Sequence, residues 1–233
     1  MSGKERRYYE AYDQRYQQVH AAGLTWFTGQ PTAIVSQIMA KYGVAPESPM
    51  LEIGCGEGTD ASALLAAGCN VLATDVSPEA IRFGKEKYPV WADRFMVLDC
   101  LRDDLDQRFD FIYAVAVLHM LVPDADRQAL LAFIREHLTA AGIGLVIVMG
   151  DGEMQRATDI AAAFDVQERM HEPSGTKLQL ASTSCRIVTR EEFREEIERA
   201  GLTIAELGDT AWDDTPFAMY AVVKRGKNDA ADV

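Results

Sequence analysis

The chain has 233 residues, 48% hydrophobic and 25% charged, the composition of a globular protein with room for a sizeable core. Its 23 Lys and Arg against 36 Asp and Glu leave a formal charge of −13. That balance argues against broad binding to nucleic acid or to an anionic membrane, both of which rest on Lys and Arg meeting phosphate.

The opening MSGKERRYYE lacks an apolar signal region, and no later stretch reaches the length of a membrane span; no membrane association and a cytoplasmic location are expected. Residues 4–20 read as a helix, with Tyr8, Tyr12 and Tyr16 four apart and so on one face. After LTWFTGQ, Pro31 opens a second amphipathic helix to about Lys41. From residue 49 strands and helices alternate: PMLEIG, then the helix TDASALLAAG, the strand NVLATD, and the helix SPEAIRFGKEKY with Ser77 as N-cap and Pro78 in its first turn. RFMVLD, FDFIYAVAV and IGLVIVMG read as further strands, with the helix DADRQALLAFIREHL before the last of them.

Short apolar strands alternating with helices predict a parallel sheet covered on both faces. Beyond residue 150 the pattern loosens. MQRATDIAAAFDV is expected to be helical and TKLQLASTSCRIV extended. TREEFREEIERAG opens with a capping box, Thr189 and Glu192, and closes at Gly201. TIAELGDTAWDDTPFAMYAVVKR reads as an antiparallel hairpin whose loop holds Asp209, Asp213 and Asp214, and GKNDAADV as a disordered tail. The four cysteines, Cys55, Cys69, Cys100 and Cys185, form no CxxC pair and the four histidines no HxH or HxxxH spacing. Neither a disulfide framework nor a metal site is predicted.

The chemistry concentrates in LEIGCGEGTD, residues 51–60. Gly54, Gly56 and Gly58 fall in the first strand-to-helix turn, where an open parallel sheet binds its ligands and where glycine lets backbone approach a ligand closely. Asp75 ends the second strand, placed to accept hydrogen bonds from ribose hydroxyls. These features indicate an adenine nucleoside cofactor, either NAD or S-adenosylmethionine. Three others discriminate. The pattern is GxGxG, with Thr59 where a dinucleotide fold has its third glycine; Glu52 would repel a pyrophosphate and suits an ammonium or sulfonium; and the chain ends in a hairpin instead of further βα units.

These residues resemble the class I S-adenosylmethionine-dependent methyltransferases. LEIGCGEG is similar to that family's first motif, VLATDVSPEAI to its second strand with the ribose-binding acid, and VLDC to the acidic turn after the third strand. FDFIYAVAVLHML resembles the fourth strand and its exit, and RIVTREEFREEIERAGL the helix before the sixth strand. LTAAGIGLVIV stands where the family has a proline- and glycine-bearing turn into the fifth strand, and departs from it by lacking the proline and one glycine. The resemblance covers about residues 49–150 and 186–224.

The fold it implies is a three-layer α/β/α doubly wound domain over residues 1–225, with a mostly parallel seven-stranded sheet and a C-terminal antiparallel hairpin. Residues 1–45 would form a helical lid, 151–187 an insertion bordering the acceptor, and 226–233 a disordered tail. The implied cofactor residues are Glu52, Gly54, Cys55, Gly56, Gly58, Asp75, Val76, Asp99, Cys100 and Ala114. His119 has two readings, a general base for the acceptor or a packing residue that caps the next helix. Tyr8, Tyr12, Tyr16, Trp26, His119 and Trp212 are the candidate acceptor contacts, with the apolar docking face of a helix as the other reading of the tyrosines. The implied reaction is in-line transfer of a methyl group to O, N or S of a small molecule, leaving S-adenosyl-L-homocysteine. A non-catalytic S-adenosylmethionine-binding protein and an NAD-linked oxidoreductase stay open as alternatives. The identity of the acceptor and the oligomeric state are not encoded in these motifs.

Overall fold

The computed structural model describes residues 6–26, 29–212 and 215–226, the side chains of 212, 215 and 216 excepted. The predicted tail, apart from Gly226, lies outside the described residues, as do Asp213 and Asp214.

A single 3₁₀ turn, Tyr8–Glu10, leads into α1 (Ala11–Ala21). Helix α2 (Ala33–Tyr42) starts two residues after Pro31 and is stopped by Gly43 in the left-handed conformation. The alternating region then forms β1 (Met50–Ile53), α3 (Thr59–Ala66), β2 (Val71–Asp75), α4 (Pro78–Lys87) and β3 (Phe95–Val97). It continues with β4 (Phe109–Val115), α5 (Asp124–His137) and β5 (Leu138–Met149). The expected caps are in place: the Ser77 hydroxyl accepts the Ala80 N–H at 3.0 Å at the start of α4. Thr189 and Glu192 close a reciprocal box at the start of α6 (Arg190–Arg199).

Residues 151–187 hold β6 (Arg156–Ala157), β7 (Val166–His171), β8 (Thr176–Ala181) and β9 (Arg186–Ile187), with β7 and β8 forming an antiparallel hairpin. The helix expected over MQRATDIAAAFDV is not formed. Its place is taken by β6 and one 3₁₀ turn, Ile160–Ala162, capped by the Asp159 carboxylate on the Ala161 N–H. Tertiary pairing overrides local propensity here: β6 pairs with β9, and the Thr158 N–H donates to the Cys185 carbonyl at 2.9 Å. The terminal hairpin is β10 (Leu202–Trp212) and β11 (Thr215–Arg225). Asp209 belongs to β10 and not to its loop, and its carboxylate meets Arg190 at 2.6 Å.

The seven-stranded sheet has the order β3-β2-β1-β4-β5-β11-β10. β1 to β5 run parallel, and β11 lies antiparallel between β5 and β10. One face packs on α2, α3 and α4 through Ile34, Ile38, Ala61, Leu65 and Ile81; the other packs on α5 and α6 through Leu130, Leu131, Ile134, Phe193 and Ile197. Burying both faces is what the near-continuous apolar strands required. The order reverses between β1 and β4, which opens a crevice beyond their C-terminal ends. Helix α1 lies over that crevice, fixed between α4 on one side and the β7–β8 hairpin on the other: the Asp13 carboxylate accepts from the Ser77 hydroxyl at 2.7 Å, and the Gln18 amide oxygen from the Ala181 N–H at 2.7 Å. Among the described residues no helix is long and apolar enough to cross a membrane.

Candidate ligand-binding cleft

The glycine turn takes its shape from backbone that other residues rarely adopt. Gly54, Gly56 and Gly58 have φ of 72°, 53° and 86°. A Cβ on Gly54 would collide with the Val117 side chain, and one on Gly56 would lie 2.6 Å from the Tyr16 hydroxyl. The missing side chains therefore let β4's exit and α1 close down on the turn. Gly58 serves a different purpose, since its Cβ would strike Phe95, and it opens α3 on the side of the sheet core.

Asp75 ties the first two strand ends together. One carboxylate oxygen accepts the Gly56 N–H and the other the Ser77 N–H, both at 2.8 Å. Burial pushes its pKa up to about 6, while those two N–H groups pull the other way. Each oxygen keeps a lone-pair direction for a further donor. Asp75, Val76, Asp99 and Cys100 line one cavity together with Gly54, while Ile53, Leu98, Leu101, Val117, Met120 and Leu121 supply its apolar walls. Asp99 receives the Tyr9 hydroxyl at 2.9 Å on one oxygen and the Leu101 N–H at 3.1 Å on the other. The Cys100 thiol is held at about 12 by burial and then by the charge of Asp99, so it stands as a neutral wall group. An apolar slot with a carboxylate at the ribose position and another at its edge fits an adenine nucleoside.

Several expected residues lie elsewhere. Glu52 is buried beneath the sheet, where its carboxyl accepts the Tyr113 hydroxyl at 3.1 Å, and burial followed by the nearby Asp60 holds its pKa well above the carboxylate range. Its neighbour Ile53, on the opposite side of the strand, is the one that lines the cleft. Cys55 and Ala114 are buried and outside the lining. The tyrosine stripe is shifted: Tyr9, Tyr12 and Tyr16 line the cavity, whereas Tyr8 donates to Asp126 at 2.8 Å and accepts from the Val122 N–H. The 3₁₀ turn before α1 breaks the four-residue register and swings Tyr9 into the place a continuous helix would give Tyr8. Tyr12 donates to the Ser184 carbonyl at 2.6 Å, and burial pushes its pKa up to about 12.

His119 sits in the 3₁₀ turn after β4, 5% exposed and outside the cavity lining. Its Nδ1 accepts the Met149 N–H at 3.3 Å, and burial, then the charge of Arg127, brings its pKa down to about 4. That is the geometry of the packing reading. Trp26 stacks edge-on against His171 at 4.6 Å, next to the cleft and not in it. The side chain of Trp212 lies outside the described residues. Ala116, before Val117, holds a φ of 60°, strained backbone at the cleft wall of the kind that clusters at functional sites. Sequence reasoning passed over Tyr9, Val117, Met120 and Leu121; the apolar run VLHML carried the last three but did not say which face would turn inward.

Comparisons with known proteins agree with this fold. Residues 51–143, less than half of the chain, match the family model of a methyltransferase domain. The chain has the fold of a S-adenosylmethionine-dependent methyltransferase from Clostridium acetobutylicum, at 14% identity and a TM-score of 0.65 over 94% of this chain and 99% of the other. It has equally the fold of a Burkholderia thailandensis 1,6-didemethyltoxoflavin-N1-methyltransferase, at 19% identity and 0.68 over 97% and 93%. The CcbJ methyltransferase of Streptomyces caelestis matches at 16% identity and 0.67 over 92% and 99%. Among curated proteins, "Hemagglutinin 1" of Eikenella corrodens is 33% identical over 108 residues, which is 42% of this chain and 33% of that protein, so the chain spans only a part of that relative.

Proposed function

We propose that this chain is a class I S-adenosylmethionine-dependent methyltransferase that moves a methyl group to an O, N or S atom of a small molecule by in-line displacement. The single observation that carries the reading is Asp75: buried, cross-linking the glycine turn to the start of α4, and presenting its remaining lone pairs into a slot lined by Val76, Asp99 and Cys100.

S-adenosylmethionine, when bound, supplies a methyl group already activated on a sulfonium. The chain's residues align and exclude water. Asp75 would take the ribose hydroxyls, Val76, Leu98 and Leu101 would hold the adenine faces, and Asp99 its edge. The turn at Gly54 and Gly56 would border the cofactor's amino-acid end. Tyr9, Tyr12 and Tyr16 cover the slot from α1, and positioning of this kind can contribute on the order of 7–11 kcal/mol. The raised pKa values of Tyr12 and Tyr16 make these phenols hydrogen-bond donors and not bases. His119, neutral and bonded to Met149, keeps the exit of β4 packed. Catalysis by orientation suits an acceptor that is already nucleophilic, such as a neutral amine or a thiolate.

Support for a small acceptor comes from the cover. α1 lies over the crevice and β8 of the 151–187 segment packs against it, and similar structures include a 1,6-didemethyltoxoflavin-N1-methyltransferase and a glycopeptide N-methyltransferase. The test is thermal shift with S-adenosylhomocysteine against NAD, followed by S-adenosylhomocysteine release with a panel of small amines, phenols and thiols. Stabilisation by S-adenosylhomocysteine and turnover with a panel member are expected. Stabilisation by NAD alone would overturn the reading, and binding without turnover would favour the non-catalytic alternative.

A further inference from the structure

The cleft is acidic in its charges and apolar over most of the rest. The charged side chains that line it are Asp75 and Asp99, with no Lys, Arg or His of the described residues among them. Arg127, behind the wall after β4, is fully buried and already faces both oxygens of Glu196. The stronger side-chain donors of the lining are the hydroxyls of Tyr9, Tyr12 and Tyr16. Tyr9 donates to Asp99 at 2.9 Å and Tyr12 to the Ser184 carbonyl at 2.6 Å. The Tyr16 hydroxyl makes no hydrogen bond to a described residue and stands over Gly56, at the end proposed for the cofactor's amino acid.

An anion drawn into such a slot needs a cation or free donors to offset the water it loses, and this lining offers it carboxylates instead. Nor can the lining make an anion from a neutral acceptor. Burial pushes the Tyr12 phenol and the Cys100 thiol up to about 12 and the Tyr16 phenol well above its ordinary range, while His119 lies outside the lining. Asp75 and Asp99 are the groups proposed for the ribose and the adenine edge. An alcohol, phenol or thiol must lose its proton to react, so the cleft serves none of them well. A neutral nitrogen brings its own lone pair. The wall formed by Val117, Met120 and Leu121 with the ring of Tyr12 is apolar and suits an uncharged ring or chain.

We propose that the methyl acceptor is an uncharged molecule with an apolar body and a nitrogen nucleophile, and that the acidic, cation-free lining excludes carboxylates and thiolates. This rests on the methyltransferase reading and narrows its O, N or S acceptor to one class. In the step, the nitrogen lone pair forms the new N–C bond as the S–C bond to the methyl group breaks, and the bonding pair stays on sulfur. The positive charge passes from sulfur to nitrogen, and a nitrogen that carries a proton sheds it to solvent afterwards. No base on the protein is needed.

Calorimetry at pH 8 on protein saturated with S-adenosylhomocysteine compares N-methylaniline, which is uncharged, with benzoate and thiophenolate, anions of similar size. N-methylaniline is expected to bind at least about tenfold more tightly than either anion. Turnover with S-adenosylmethionine then compares N-methylaniline with phenol. The amine is expected to be methylated at a rate that is flat from pH 7 to 9, and phenol at least about a hundredfold more slowly for want of a base. Met120→Lys, at a half-buried position of the wall, adds the missing cation and is expected to raise benzoate affinity about tenfold. Anions bound as tightly as N-methylaniline, or phenol methylated at a matching rate, would overturn the proposal, and so would unchanged benzoate binding in a folded Met120→Lys. Should that variant not fold, the comparison of ligands on wild type decides. Failure of S-adenosylhomocysteine itself to bind wild type would instead overturn the methyltransferase reading.

Discussion

Asp75 shows how one side chain sets both geometry and pH response. With its pKa at about 6, the carboxyl is largely ionised at neutral pH and protonated below it. Ribose hydroxyls donate to the ionised form and so favour it. Affinity for S-adenosylhomocysteine is therefore expected to be flat above pH 7 and to weaken below pH 6, by at most about tenfold per pH unit. Titration calorimetry from pH 5 to 8 measures this, and Asp75→Asn is expected to remove the slope together with most of the affinity. The pKa of His119 is shifted the other way, downward, and its effect is also lost in acid. Its folded-state pKa of about 4 lies below the ordinary 6.5, so its contribution to stability is complete above pH 6.5 and is lost as pH falls toward 4. A shift of that size corresponds to about 3 kcal/mol. Denaturant unfolding of wild type against His119→Asn, whose amide oxygen can accept the Met149 N–H, is expected to show this acid loss in wild type alone.

At the scale of elements, the cleft wall after β4 depends on a buried ion pair. Arg127 of α5, with no exposed surface, meets both oxygens of Glu196 on α6 at 2.8 and 2.6 Å and also donates to the Leu118 and Leu121 carbonyls. One guanidinium thus holds two helices and the turn that carries Met120 and Leu121 into the cleft. Removing only the acid strands the buried cation, so Glu196→Ala is expected to lower stability by about 3–5 kcal/mol in urea unfolding. Replacing both partners by apolar residues, as in Arg127→Met with Glu196→Leu, is expected to recover much of that loss.

Helix α1 is tied down by polar links as well as by its buried Ala11 and Val19. His20 of α1 places Nδ1 2.7 Å from Glu79 and Nε2 3.0 Å from Glu57 in the glycine turn. Glu57 also accepts the Trp26 N–H at 2.8 Å, and Asp13 covers the start of α4. Across the whole molecule this predicts a graded stability, with α1 opening more readily than the doubly covered strands β1 and β4. Hydrogen exchange of the ligand-free protein is expected to be faster in α1 than in β4, and S-adenosylhomocysteine to slow α1 selectively. Equal protection of α1 with and without the ligand would contradict a lid.

The sequence by itself determined the sheet, its caps and the glycine turn, because these rest on local rules: alternation of apolar strands with helices, a Ser-Pro and a Thr–Glu helix start, and three glycines between a strand and a helix. Asp75 was legible for the same reason, as the acid that closes a strand at a fixed distance from that turn. Tertiary structure alone decided which side chains face the cleft. The register of the tyrosines turned on a single 3₁₀ turn, Glu52 was withdrawn to the far side of the sheet by the alternation of β1, and the expected helix after residue 153 gave way to pairing between β6 and β9. Arg15 gave no sign in sequence at all. An arginine on a helix is ordinarily solvated, and only the segment brought against it from more than 150 residues away places its guanidinium on Thr183 with Nε buried.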